Sequence, residues 1–152
     1  CENMGSMIGS IDRGLIHFFR SISVPVARVG LFTIFFWFGF LKVIGISPPT
    51  DRVQQLHAQT IPFIMFGGFY VFFAAFECLI GILFLIKGME RVVIPLLFFH
   101  MALTFLPLFL LPDITWQATF VPTLEGQYII KNLAIIALAI GVAAHLHPMK
   151  RV

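Results

Sequence analysis

Long apolar stretches alternate with short polar ones along the chain, and four apolar stretches are long enough to cross a lipid bilayer. A helix needs about 20 residues to span the hydrocarbon core. The runs are continuous and do not alternate residue by residue, which favours helices over the strands of a closed barrel. The predicted spans cover residues 24–46, 61–86, 92–111 and 128–146.

The segment before the first span has a different pattern. Between residues 7 and 23, apolar side chains recur every three or four positions, and Arg13, His17 and Arg20 fall on the opposite face. This periodicity predicts an amphipathic helix in the membrane interface, with its arginines at the lipid headgroups. Pro25 favours a break between this helix and the first span. A continuous extension of that span is the alternative.

The fold class that follows is all-α. We expect an integral membrane four-helix bundle over residues 24–147, preceded by the interfacial helix and followed by a cytoplasmic tail at residues 148–152. One domain is the expectation at this length. Residues 1–6, "CENMGS", are expected to be a remnant of an expression vector, with Met7 as the native start. A lipid-modified Cys1 is the alternative.

Composition agrees with a membrane environment. Of the 152 residues, 59% are hydrophobic and 11% are charged, whereas about a quarter of a soluble domain is charged. The net charge of +3 comes from scattered Lys and Arg residues, without the basic stripe of a nucleic-acid-binding protein. We therefore expect the lipid bilayer as a partner and no nucleic acid.

The distribution of charge among the loops predicts the orientation. The turn at 87–91 is net positive, whereas the loop at 112–127 carries Asp113 and Glu125 and no basic residue. The segments before the first span and after the last one are basic as well. By the positive-inside rule, both termini and the turn at 87–91 face the cytoplasm. A bacterial inner membrane is the expected location.

Ionisable groups inside the predicted spans are candidates for function, because a charge near the bilayer centre costs at least about 2.5–3.5 kcal/mol. Arg28 and Lys42 share a face of the first span, Glu77 lies in the second and His100 in the third. We expect Arg28 to form an ion pair with Glu77. This pair is either purely structural or borders a cavity in which Glu77 and His100, the candidate catalytic residues, handle protons.

A second polar layer is expected near the outer ends of the spans. Lys42 and Lys131 lie at similar depth, and Asp113 and Glu125 in the loop above are their expected partners. Two lysines at one level favour an anion or a polarisable carbonyl as ligand; snorkelling of Lys42 to the interface is the alternative. The predicted ligand-binding residues are Arg28, Lys42, Tyr128, Lys131 and Asn132.

Other cofactors fit the sequence poorly. A transmembrane haem needs two axial histidines at one depth, and the five histidines provide no such pair, so haem is not expected. The "HLH" at 145–147 is too isolated to predict a metal site. Cys1 and Cys78 lack the CxxC spacing of thiol–disulfide exchange.

Three motifs together resemble the DoxX family of small four-helix membrane proteins. They are "RVGLFTIFFWFGFLKVIG" in the first span, "FECLIGILFLIKG" in the second and "TLEGQYIIKNLAIIALAI" at the entry to the fourth. The likeness covers most of residues 28–144 and is closest to the DUF417, or reactive-chlorine-resistance, branch. Carried over by position, the motif residues are Arg28, Lys42, Glu77, Lys131 and Asn132.

The resemblance implies a function in redox chemistry or stress defence. Some members are linked to quinone-coupled oxidation of sulfur compounds, and others to oxidative or thiol stress. It therefore implies a protein that binds a quinone or a similar small hydrophobic or anionic ligand. If the protein is an enzyme, the resemblance implies a component of a quinone-linked oxidoreductase. The alternatives are a small-anion transporter or channel, and a non-catalytic subunit with a membrane protein, a redox protein or a second copy as partner.

Overall fold

A computed structural model of the protein describes residues 2–46, Gln54, Ala58 and 65–146. Cys1, the start of the predicted second span at 61–64 and the predicted tail at 148–152 lie outside the described residues. The elements are α1 (Glu2–Val43), α2 (Phe66–Leu85), α3 (Glu90–Phe105), α4 (Pro107–Leu110), α5 (Pro112–Thr115), β1 (Trp116–Ala118), β2 (Val121–Pro122) and α6 (Leu124–Ala143).

Among the described residues, four helical segments are long and apolar enough to span a membrane, which confirms the predicted helical class and the number of candidate spans. They are Gly9–Val43, Phe66–Leu85, Glu90–Leu110 and Leu124–Ala143. Large apolar side chains cover their outward faces, as expected of helices that meet acyl chains and not water.

The N-terminal segment is helical but is not a separate element. α1 runs without interruption from Glu2 to Val43 through Pro25, so the predicted break is absent and the alternative, an extension of the first span, holds. Ser21 and Ser23 donate hydrogen bonds to the carbonyls of Phe18 and Arg20 in the turn before the proline. Such hydroxyl bonds help a membrane helix to tolerate proline.

The length of α1 exceeds what a bilayer requires. A helix of 42 residues is about 63 Å long, roughly twice the thickness of the hydrocarbon core. The described side chains of residues 9–22 are almost all exposed. The first half of α1 therefore projects beyond the packed part of the bundle.

Glycine allows α1 and α2 to pack with their backbones close together. A Cβ atom added to Gly39 would lie 2.9 Å from the carbonyl oxygen of Ala74, and one added to Gly81 would lie 2.7 Å from the backbone nitrogen of Phe36. Small residues at such positions permit close approach of membrane helices. α3 packs on α2 and α6, and α6 also contacts α1. The shared core includes Leu31, Ile80, Phe84, Val93 and Leu97.

The segment between α3 and α6, predicted as an outer loop, folds into an ordered cap. β1 and β2 form a short antiparallel hairpin with Phe120 at its tip in the left-handed conformation (φ 60°). The indole Nε1 of Trp116 donates to the carbonyl of Leu108 at 3.1 Å. Thr123 caps α6 by accepting a hydrogen bond from the backbone N–H of Gly126 at 3.2 Å.

Candidate functional site

Three helices bring Lys42, Glu77 and His100 into contact. The Lys42 Nζ donates to both carboxylate oxygens of Glu77 at 2.7 Å. The Nε2 of His100 lies 3.5 Å from Glu77 Oε1. The carboxylate on α2 therefore joins an ammonium group on α1 to an imidazole on α3. We call these three residues the central cluster.

The direction of helical side chains explains why Lys42 reaches Glu77. Side chains of an α-helix point toward its N-terminus, so the ammonium of Lys42 lies about one turn before its own Cα. That turn contains Gly39, where α1 lies closest to Ala74 and Cys78 of α2. Glu77 lies between these two residues in sequence, so the lysine meets it where the two helices pack closely.

Exposure is graded along the central cluster. Glu77 is 7% exposed and His100 is 3% exposed. The side chain of Lys42 is 26% exposed. Lys42 is thus the most accessible residue of the cluster, and Glu77 and His100 are enclosed within the bundle.

Phenylalanine rings enclose the imidazole of His100. Phe73 stacks on it with a centroid distance of 4.7 Å, and Phe35 meets it edge-on at 5.4 Å. Phe76 lies at 6.1 Å in a tilted orientation. Thr104, one turn further along α3, donates its hydroxyl to the carbonyl of His100 at 2.9 Å. The phenylalanine rings therefore hold the imidazole in place, and its Nε2 lies on the side of Glu77.

The other nitrogen of His100 identifies a tautomer. Nδ1 is buried and has no hydrogen-bond partner among the described residues. A buried N–H without a partner is costly, so the favourable arrangement carries the proton on Nε2, which can donate to Glu77. In this arrangement, inferred from the contacts, the imidazole is neutral and the Lys42–Glu77 pair balances its own charge.

A separate ion pair lies about four turns before Lys42 along α1. Arg28 Nη1 contacts Glu90 Oε1, and Arg28 Nε donates to the carbonyl of Phe84 at 2.8 Å. The second oxygen of Glu90 accepts the backbone N–H of Gly88 at 2.7 Å. The arginine and the first residue of α3 thus fix the turn between α2 and α3. Both side chains are nearly buried.

The predicted ion pair between Arg28 and Glu77 is therefore wrong. Glu77 lies seven residues before Phe84, which is about 10 Å along α2. Arg28 instead meets the carboxylate at its own depth, that of Glu90. Sequence reasoning missed Glu90 because it assigned this residue to the polar turn "KGMER", although α3 begins there. Glu90 lies at the same depth as Arg28, and this shared depth could have predicted the pair.

The predicted outer layer does not assemble around Lys42. Lys131 Nζ lies 5.2 Å from the ring centroid of Tyr128, and both residues are exposed on α6. Asn132 is half-buried, on the helix face that continues to the buried Ala139. Lys131 and Tyr128 lie to the side of that packed face. The prediction that these two residues share a pocket with Lys42 is therefore wrong.

The partner predicted for Lys42 is corrected as well. Its ammonium binds Glu77, not Asp113 or Glu125 of the outer loop. Asp113 is exposed in α5.

Within the described part of the chain, no group of three or more His, Cys, Asp or Glu residues could hold a metal ion.

The fold and the central cluster define a class: an α-helical protein with four candidate membrane spans and a lysine–glutamate–histidine cluster between three of them. Comparison of the chain with protein-family models, curated proteins and solved structures gave no match. The resemblance to the DoxX family therefore stays a prediction.

Proposed function

We propose that this protein is a DoxX-like, redox- or stress-associated protein of the bacterial inner membrane that binds a quinone or quinol at the central cluster. The predicted orientation, with both termini in the cytoplasm, belongs to the same proposal. The observation that carries it is the partly exposed Lys42 joined to the enclosed carboxylate of Glu77 and imidazole of His100.

The chemistry of the cluster suits a quinone head. A quinone carbonyl needs a hydrogen-bond donor, and an ammonium group has three N–H bonds. The two oxygens of Glu77 take up two of those of Lys42, which leaves a third for a ligand. Glu77 and His100 can give and accept protons next to that position. The isoprenoid tail of a quinone would remain among the acyl chains outside the bundle.

The charge balance of the cluster favours a neutral ligand over an anion. The carboxylate of Glu77 already neutralises Lys42, and the nearest imidazole carries no charge in the tautomer inferred above. A small anion entering this site would have to displace Glu77 or accept an unfavourable carboxylate beside it. The charge of the cluster therefore favours quinone binding over the alternative of an anion transporter that uses Lys42.

A lysine substitution tests the proposal. We expect Lys42→Gln to weaken binding of a short-tailed quinone by at least about tenfold, because hydrogen bonds to charged groups contribute about 1.5–3 kcal/mol. The measurement is equilibrium titration of the purified protein in lipid nanodiscs. Lys131→Gln is the matched control, since it removes the same charge from the exposed face of α6, and its affinity should equal that of the unsubstituted protein.

Two outcomes would contradict the proposal. One is the absence of quinone binding by the unsubstituted protein at ligand concentrations that saturate known quinone sites. The other is an equal loss of affinity in both lysine variants. A competition titration with thiosulfate or chloride separates the alternatives, because a neutral-ligand site should retain its quinone in the presence of either anion.

A further inference from the structure

A groove separates α1 from α6 at the end of the bundle that carries Arg28, far from the central cluster. Its volume is about 100 Å³, and its walls include Val24, Ala27, Leu138 and Gly141. A Cβ atom added to Gly141 would meet no atom within 4 Å. The groove is therefore open beside this glycine, and a larger side chain there would fill it without a clash.

The walls of the groove suit a hydrocarbon chain. They are almost entirely apolar, and they belong to helices that are candidates for membrane spans. Water gains too few hydrogen bonds in such a place to remain ordered. The molecules that surround these helices in a bilayer are phospholipids, whose acyl chains match the chemistry of the walls.

Polar and basic side chains lie at one end of the groove. Ser23 and His145 line it there, and the Nδ1 of His145 lies 2.8 Å from the carbonyl of Gly141. Arg20 is exposed one turn before Val24, on the same face of α1. The hydroxyl of Ser23 contacts the carbonyl of Arg20 at 3.1 Å. A guanidinium at this position can bind a phosphate through two parallel hydrogen bonds.

The charge around the groove favours an anionic headgroup. Its described lining contains no acidic side chain, so the amine of a zwitterionic lipid would find no partner there. The nearby Arg28 does not add free charge, because Glu90 neutralises it. Among the described residues around the groove, Arg20 is an exposed cation that can meet the headgroup.

We propose that the α1–α6 groove binds one anionic phospholipid, with an acyl chain against Val24, Ala27 and Gly141 and the phosphate on the exposed guanidinium of Arg20. The site is independent of the quinone proposal, since it shares no residue with the central cluster. Lipid bound there would link the projecting half of α1 to the C-terminal end of α6.

Native mass spectrometry of the purified protein tests this site. The protein is equilibrated with phosphatidylglycerol or phosphatidylcholine of identical acyl chains. We expect preferential retention of phosphatidylglycerol, and Arg20→Gln should reduce that preference by about tenfold, the effect of losing one charge-assisted contact. Lys131→Gln, which removes a cation at the other end of the bundle, should leave the preference unchanged.

A second pair of variants tests the acyl-chain part of the site. Gly141→Leu fills the groove and should reduce retention of both lipids, whereas Gly68→Leu, at another glycine with open space around it, should not. If Gly141→Leu does not fold, the comparison of Arg20→Gln with Lys131→Gln decides the question. Equal retention of both lipids by the unsubstituted protein, or equal effects of Arg20→Gln and Lys131→Gln, would overturn the proposal. Displacement of the lipid by millimolar inorganic phosphate would reveal a simple anion site and overturn it as well.

Discussion

Lys42→Met is expected to destabilise the protein by about 3 kcal/mol, the lower range for breaking a buried ion pair. Both oxygens of Glu77 lie 2.7 Å from the Lys42 ammonium, and the glutamate is only 7% exposed. Without the lysine, the carboxylate would be left among aromatic rings, beside a neutral imidazole. The enclosed anion, more than the lost attraction, determines the size of the effect.

The double variant Lys42→Met/Glu77→Leu separates these two contributions. Replacing a buried pair with apolar residues of similar volume is often neutral or stabilising. We therefore expect the double variant to recover most of the stability that Lys42→Met loses. Equilibrium unfolding in mixed detergent micelles measures all variants under one condition. A coupling energy below about 0.5 kcal/mol would mean that the two side chains do not interact in the folded protein.

The same variants show whether the Lys42–Glu77 pair stabilises the fold, binds a ligand, or does both. A double variant that is as stable as the unsubstituted protein but no longer binds quinone would assign the pair to function. Lys131→Met is the control for loss of a lysine, and its cost should be small because Lys131 is exposed beside Tyr128. An ion pair that is only structural would show the stability effect without any change in ligand affinity.

The depth of a residue in the bundle could be predicted from the sequence, but its partner could not. Helical rise is fixed at about 1.5 Å per residue, so the predicted spans give approximate depths for Lys42, Glu77 and His100. The orientation of each helix about its axis depends on packing between helices. That orientation directs Lys42 toward Glu77 and leaves Lys131 on the exposed side of α6.

The partner of Arg28 was not predicted because the start of α3 was not known from the sequence. The polar turn "KGMER" predicts a loop, and a loop residue such as Glu90 is not a candidate for an ion pair inside the membrane. In the structure Glu90 is the first residue of α3 and is almost buried against α1. A carboxylate in the first turn is favourable because of the helix dipole, and here it also accepts the N–H of Gly88.

The structure departs from the local sequence signals at two further places. Pro25 is a local signal for a break, yet α1 passes through it. The hairpin between residues 116 and 122 has strands of three and two residues, too short for a periodic pattern. It depends on contacts across the cap, such as the backbone N–H of Thr123 donating to the carbonyl of Thr115 at 2.9 Å.

Gly81→Ala should cost about 1–3 kcal/mol, the range for overpacking a tight interior, although it adds a single methyl group. Its Cβ would lie 2.7 Å from the backbone nitrogen of Phe36 and 3.2 Å from the carbonyl oxygen of Phe32. Backbone atoms cannot rotate away as a flexible side chain can, so α1 and α2 would have to separate. Gly68→Ala is the matched control, because no atom lies within 4 Å of its Cβ position.

The chain carries a reporter for this separation. Cys78 lies in the same interface, where its Sγ is 2.9 Å from the Cβ position of Gly39. With Cys1 replaced by serine, Cys78 is the sole thiol. Its reaction with a maleimide should be faster in Gly81→Ala than in Gly68→Ala. Equal labelling and equal stability in the two variants would mean that the backbones are not in contact at Gly81. The close approach that brings Lys42 to Glu77 would then lack its physical basis.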